Sequence, residues 1–163
     1  MSKYLLDANV LITAYRFNYP MDVVPTFWEK LLEKGKEGTF ALIDFIIEEV
    51  YVKEDLLKEW VKNNLDYIEI LESNDPNVIN SYQLLMEYVN NNNHYKQSAK
   101  DEYASSADSW LLAHAHANNY IIVTQETYDP NIKIRVKIPN ICHKFGISYI
   151  TTIDFLRETG IKI

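Results

Sequence analysis

The chain has 163 residues, of which 47% are hydrophobic and 24% charged, a size and balance that suit one globular domain spanning residues 1–163 around a single core. Its net charge of −7 excludes the simple argument from a basic protein to a nucleic-acid binder. No apolar run reaches the ~18–20 residues of a membrane span and no charged-then-apolar leader precedes Asp7, so no membrane contact is expected. The lone cysteine, Cys142, has no internal disulfide partner and fits a reducing cytoplasm.

The acidity is local. From Asp44 to Asp75 ten acids face three lysines, while the remainder is balanced at thirteen of each sign. Nucleic acid therefore has neutral surface to approach, but metal ions would have to supply much of the positive charge.

In chain order, Lys3 to Leu6 reads as a buried strand that stops at Asp7, and a short helix begins near Val10 with Asp7 or Asn9 as its cap. Tyr15-Arg16-Phe17-Asn18-Tyr19-Pro20 reads as an aromatic loop. Pro25 opens a second helix, with Gly35 and Gly38 stopping it. Thr39 to Ile43 is a second strand, Phe45 to Asn63 is helical with a break near Lys53-Glu54, and Tyr67 to Leu71 is a short third strand. Asp75-Pro76 starts a helix that carries Val78, Tyr82, Leu85 and Val89 on one face and ends in the run Asn90 to Asn93. Asp101 to Asn118 reads as one regular helix, with Ala104, Ala107, Asp108, Leu111, Leu112 and Ala115 on a shared face. Tyr120 to Thr124 is a buried strand and Lys133 to Val136 an alternating basic and apolar segment. Asn140 to Lys144 is a short helix, Ile147 to Ile150 the last strand, and Thr151 or Thr152 caps a closing helix. Short continuous apolar strands separated by helices predict an α/β fold, with a mostly parallel sheet of four or five strands covered on both faces.

Four acids stand where stability alone would not put them. Asp7 ends a buried strand; Glu49, with Glu48 beside it, lies in a helix apolar nearly all round. Asp108 shares the apolar face of its helix, and Glu126 follows the strand ending at Thr124. An unpaired buried carboxylate costs several kcal/mol, and converging ones repel one another as well. No basic residue flanks Asp7 or Asp108 on the same apolar face, so a hard divalent ion, Mg²⁺ or Mn²⁺, is the matching counter-charge. Each acid also has a plain reading: Asp7 as a helix cap at even odds, Asp108 as the cap of a late helix start, Glu126 as a loop acid, and one of Glu48 and Glu49 as solvated surface.

Together the blocks Tyr4-Leu5-Leu6-Asp7-Ala8-Asn9-Val10-Leu11-Ile12, Tyr19-Pro20, Phe27-Trp28 and Glu49-Val50, followed by Asp55-Leu56 and Trp60, carry a resemblance. It continues through Ala107-Asp108-Ser109-Trp110-Leu111-Leu112-Ala113-His114-Ala115, Val123-Thr124-Gln125-Glu126 and Val136-Lys137-Ile138-Pro139-Asn140-Ile141-Cys142. The chain resembles the PIN-domain nucleases, and more narrowly the DUF4411 group. The resemblance implies a Rossmann-like three-layer α/β/α fold and Mg²⁺- or Mn²⁺-dependent endoribonuclease activity on RNA, leaving 5′-phosphate and 3′-hydroxyl ends. It also implies a toxin role with a cognate antitoxin protein, and a homodimer. By position it makes Asp7, Glu49 and Asp108 catalytic metal-binding acids. Glu126 stands where many PIN domains carry Asp, one methylene shorter, and Asn9 and Thr124 stand at positions that orient the acids.

Arg16, Lys133, Arg135 and Lys137 are the candidate substrate contacts. Alternation would place the last three on one strand face, either to meet phosphates or to protect an edge. The rings of the Tyr15–Tyr19 loop are expected to pack on Phe27 and Trp28 rather than to stack bases. His114 and His116, two apart on a helix, point to different sides and are not expected to share a metal. Two other functions stand beside the nuclease reading. One is a non-catalytic PIN-like module acting through a protein partner. The other is a haloacid-dehalogenase-like phosphotransferase with Asp7 as nucleophile, which wants a second Asp where this chain has Asn9.

Overall fold

The computed structural model describes residues 3–163. Five strands form one parallel sheet: β1 (Tyr4–Leu6), β2 (Phe40–Ile43), β3 (Glu69–Leu71), β4 (Ile121–Val123) and β5 (Tyr149–Ile150), in the spatial order β3-β2-β1-β4-β5. The α/β expectation and the five-strand count are met. Every residue of β1 and β2 is buried, so helices cover both faces of the sheet centre, which is why these strands read as unbroken apolar runs. On one side Phe155 of α9 (Thr152–Thr159) meets Tyr4 of β1 edge-on at 5.1 Å and Phe40 of β2 at 6.3 Å.

The chain leaves β1 through α1 (Ala8–Thr13) and α2 (Pro25–Lys36) to reach β2 on one side. It later returns from β3 to place β4 against the other side of β1. The strand order therefore reverses between β1 and β4. In open parallel sheets that reversal opens a crevice at the carboxyl ends of the strands. Asp7 and Thr124 are the first residues beyond β1 and β4, so they flank this crevice.

The structure corrects four local expectations. The segment Tyr15–Tyr19 is not a loop: Ala14–Asn18 continues α1 as a wider π turn. Tyr19 then stacks on Phe27 at 4.4 Å and accepts the Trp28 Nε1–H through its carbonyl, as the packing reading expected, while Phe17 is left 73% exposed. Gly35 lies inside α2, packed against Ile68 and Phe40, and Gly38, at φ 75°, makes the turn into β2.

The supposed single helix from Asp101 to Asn118 is two: α6 (Gln97–Ser105) and α7 (Ala107–Asn118), separated by Ser106 in an extended conformation (φ −92°, ψ 157°). Ala104 is accordingly exposed and leaves the apolar face. Finally, Lys133 to Val136 forms no strand. Its Lys133 carbonyl accepts from Lys96 N–H at the start of α6, and the Asn140 side chain bonds the backbone of Asp129. The segment is tied to helices instead of a sheet edge, and Pro130 has no N–H to offer a ladder.

Candidate functional site

Each of the four acids is delivered by a different element. Asp7 is 1% exposed directly beyond β1. It occupies the cap position of α1, yet its side chain makes no capping bond. It turns across to β4, where Thr124 Oγ1 donates to Asp7 Oδ2 at 3.1 Å. The same hydroxyl accepts the Glu126 N–H at 3.2 Å. Thr124, wholly buried, thus fixes one acid through its proton and another through its lone pair.

Glu126 is held at both carboxyl oxygens. Oε1 accepts the Ile138 N–H at 3.1 Å, at the first residue of α8 (Ile138–Phe145), and Oε2 meets Arg135 Nη2 at 3.3 Å. A helix N-terminus presents unsatisfied N–H groups and a partial positive charge, so Glu126 sits where an anion is stabilised.

Asp108 owes its place to the break at Ser106: it falls in the first turn of α7, also at a helix N-terminus. Its side chain is 17% exposed and lies 3.9 Å from the same Arg135 Nη2. Glu49 projects from α3 (Asp44–Tyr51), which is joined to α7 by the parallel stack of Phe45 on Trp110 at 5.3 Å; Trp110 is backed in turn by Tyr82, from the helix Pro76–Asn90, at 3.8 Å. This stack sets the distance between the elements that carry Glu49 and Asp108.

The acids feel one another. Burial first, then the Glu126 charge and, more weakly, the Glu49 charge push the Asp7 carboxyl up to about 7, against the Thr124 hydrogen bond, which pulls it down. Burial and then Asp7, Glu126 and Glu49 push Asp108 up to about 8, with Arg135 opposing. Glu49 is exposed on the surface of α3, and such desolvation as its carboxyl meets there raises it, again against Arg135. This is the signature of carboxylates sharing a low-dielectric site with too little positive charge. Among the described residues, no three Asp, Glu, His or Cys side chains close on one point tightly enough to clasp an ion as they stand.

Two clefts meet at Glu49. The larger, about 580 Å³, is bounded by Phe45, Glu48, Glu49, Asp108, Trp110 and Arg135. The smaller, about 290 Å³, runs past Asn9, Tyr15, Arg16, Glu49 and Lys53. Asn9 is exposed and lines this second cleft together with Glu49, and its backbone N–H helps lower the Asp7 carboxyl. Arg16 is exposed beside it. Lys137 reaches Thr127 Oγ1 at 3.4 Å and Lys133 is exposed; neither shares a strand face with Arg135.

Two features of the site escaped sequence reasoning. Arg135 supplies the basic partner that Asp108 lacked on its own helix, reaching in from an irregular segment 27 positions along the chain. The aromatic wall of Phe45 and Trp110 read only as core. The histidines behave as expected: His114 is buried against Ser73 Oγ at 2.9 Å, and His116 Nδ1 meets Ser81 Oγ at 2.7 Å. Burial lowers His114.

Comparison with known proteins places this geometry in context. A family model described as a domain of unknown function, DUF4411, matches residues 4–163. No curated protein matches the chain. Among solved structures, the crystal structure of VapBC2 from Rickettsia felis bound to a DNA fragment from its promoter contains a chain of similar fold, with a TM-score of 0.55 at 17% identity. The match covers 91% of this chain and 98% of that one. At that identity the likeness speaks for the fold.

Proposed function

The chain belongs to the DUF4411 family, and from that premise we propose that it is a divalent-metal-dependent endoribonuclease, with Mg²⁺ or Mn²⁺ held by Asp7, Glu49, Asp108 and Glu126 and RNA as the substrate. The observation that carries the reading is the pair of acids Asp7 and Asp108 at the sheet's switch point, both pushed up by burial and by the Glu126 and Glu49 charges, with Asp7 pushing Asp108 up further. Such a cluster opposes folding near and above neutral pH, so a structural role explains it poorly. The donor set is all carboxylate oxygen, which fits a hard divalent cation in kind.

When bound, the cation supplies an acidified water as nucleophile, neutralises phosphate charge and steadies the leaving 3′-oxygen. The chain's own residues do the positioning. Thr124 fixes the Asp7 carboxyl and the Glu126 backbone; the α8 N-terminus fixes the Glu126 carboxyl; the Phe45–Trp110 stack fixes α3 against α7. Phe45 and Trp110 wall the cleft of about 580 Å³ as aromatic surface for a base, and Arg135 and Arg16 line the two clefts as phosphate contacts. The fold shared with a chain of VapBC2 supports a toxin role with a cognate antitoxin protein as partner.

The test is incubation of purified protein with single-stranded RNA and, in parallel, single-stranded DNA, in Mn²⁺, Mg²⁺ or EDTA. RNA cut internally to 5′-phosphate ends with either metal, and left intact in EDTA and by Asp7→Asn, is the expected result. A folded protein that cuts neither substrate in either metal overturns it.

A further inference from the structure

Arg135 has a place in this site that phosphate binding does not explain. One nitrogen, Nη2, serves both Glu126 at 3.3 Å and Asp108 at 3.9 Å. A guanidinium held firmly by a carboxylate engages two nitrogens in parallel, and this single-point contact is the weaker kind. The side chain is 43% exposed, while the acids it touches are 13% and 17% exposed. Rotating it into water therefore costs little desolvation, whereas leaving the acids bare costs more.

The backbone on either side is anchored. The Lys133 carbonyl accepts Lys96 N–H at 2.9 Å, and the Ile138 N–H donates to Glu126 itself. The guanidinium can leave while the segment that carries it stays. Among the described residues, no other Lys or Arg makes an ion pair with Asp7, Glu49, Asp108 or Glu126.

Glu126 has one oxygen bonded to the helix N-terminus and the other to Arg135, so the Arg135 oxygen is the one an incoming cation can free by displacing a mobile side chain. From this geometry we infer that Arg135 is a resident counter-ion that competes with the divalent cation for Glu126 and Asp108, and so sets how tightly the cation binds. The inference rests on the metal site proposed above and adds a residue that opposes it. Arg135 holds the acids together while they lack a metal and must swing toward the cleft before the cation can be fully engaged.

The experiment is Mn²⁺ titration by calorimetry of wild type, Arg135→Gln and, as a control for net charge alone, Lys36→Gln. Lys36 ends α2 at the opposite edge of the sheet, where it lies over the Tyr67 ring. Melting in EDTA and in Mn²⁺ accompanies each titration. Arg135→Gln is expected to bind Mn²⁺ about 5-fold more tightly, the scale of one partly exposed ion pair, and to melt lower than wild type in EDTA at pH 8. Lys36→Gln is expected to match wild type. Wild type that binds Mn²⁺ with Arg135→Gln unchanged or weaker overturns the counter-ion role and leaves the proposed function standing. An equal gain in Lys36→Gln also overturns it, since net charge then explains the effect. Binding by neither wild type nor Arg135→Gln overturns this inference and the metal site together.

Discussion

Asp108→Asn should stabilise the metal-free protein in alkaline buffer. The folded state pushes Asp108 from its ordinary value of 3.8 up to about 8. A carboxyl raised on folding contributes stability that is fully present below its unfolded value, and this is lost as pH rises through the folded value. Four units at ~1.4 kcal/mol each set an upper bound near ~6 kcal/mol. The cost is shared among the coupled acids rather than owned by Asp108 alone, and Asn also forfeits the Arg135 contact, so about 2 kcal/mol is the working figure. Asparagine copies the neutral acid in shape. In EDTA the variant's margin over wild type should be small at pH 5, where the folded acid still holds its proton, and grow to about 4–8 °C at pH 9 for a chain of this size. Scanning calorimetry across pH 5–9 reads this directly. A variant that melts below wild type at pH 9 would refute the reasoning, because the ionised Asp108 would then be stabilised by its surroundings rather than repelled by them.

Thr124→Val keeps the volume but removes the hydroxyl that joins Asp7 to the Glu126 N–H. The two stranded buried groups should cost about 1–3 kcal/mol in urea unfolding, and an unchanged midpoint would show that neither depends on the hydroxyl. Gly35→Ala places a Cβ 2.9 Å from Ile68 Cγ1 and 3.4 Å from Phe40 Cζ, both buried. Overpacking should outweigh the ~1 kcal/mol helix gain and lower the melting temperature by a few degrees; a rise would mean that Ile68 moves aside freely.

The strands were legible because both faces of the sheet centre are covered. That leaves β1, β2 and β4 as short apolar runs closed by Asp7, Asp44 and Thr124. The left-handed turn at Asn119 (φ 59°) before β4 was also written in the paired asparagines. The break at Ser106 was legible only as the alternative in which the helix starts late, because the Ser105-Ser106 pair permits a cap without requiring one and tertiary packing decides between one helix and two. That break matters for the site, since it brings Asp108 to a helix N-terminus. Asp7, Asp108 and Glu126 stood out as acids at apolar junctions, and the structure brings them within electrostatic reach of one another. Arg135 was visible only as one charge in a basic stretch. Its pairing with acids 9 and 27 positions earlier comes from an irregular segment with no period to read. The place of Asn9 on the second cleft was equally hidden, because it depends on which way the first turn of α1 faces.

The central claim is that the acids at the switch point hold a divalent cation, and anomalous scattering from crystals grown with Mn²⁺ tests it most directly. The account predicts a manganese peak within bonding distance of Asp7, Glu49, Asp108 or Glu126 oxygens, lost in crystals of Asp7→Asn. A manganese peak confined to other acids, or one that survives Asp7→Asn unchanged, would contradict it.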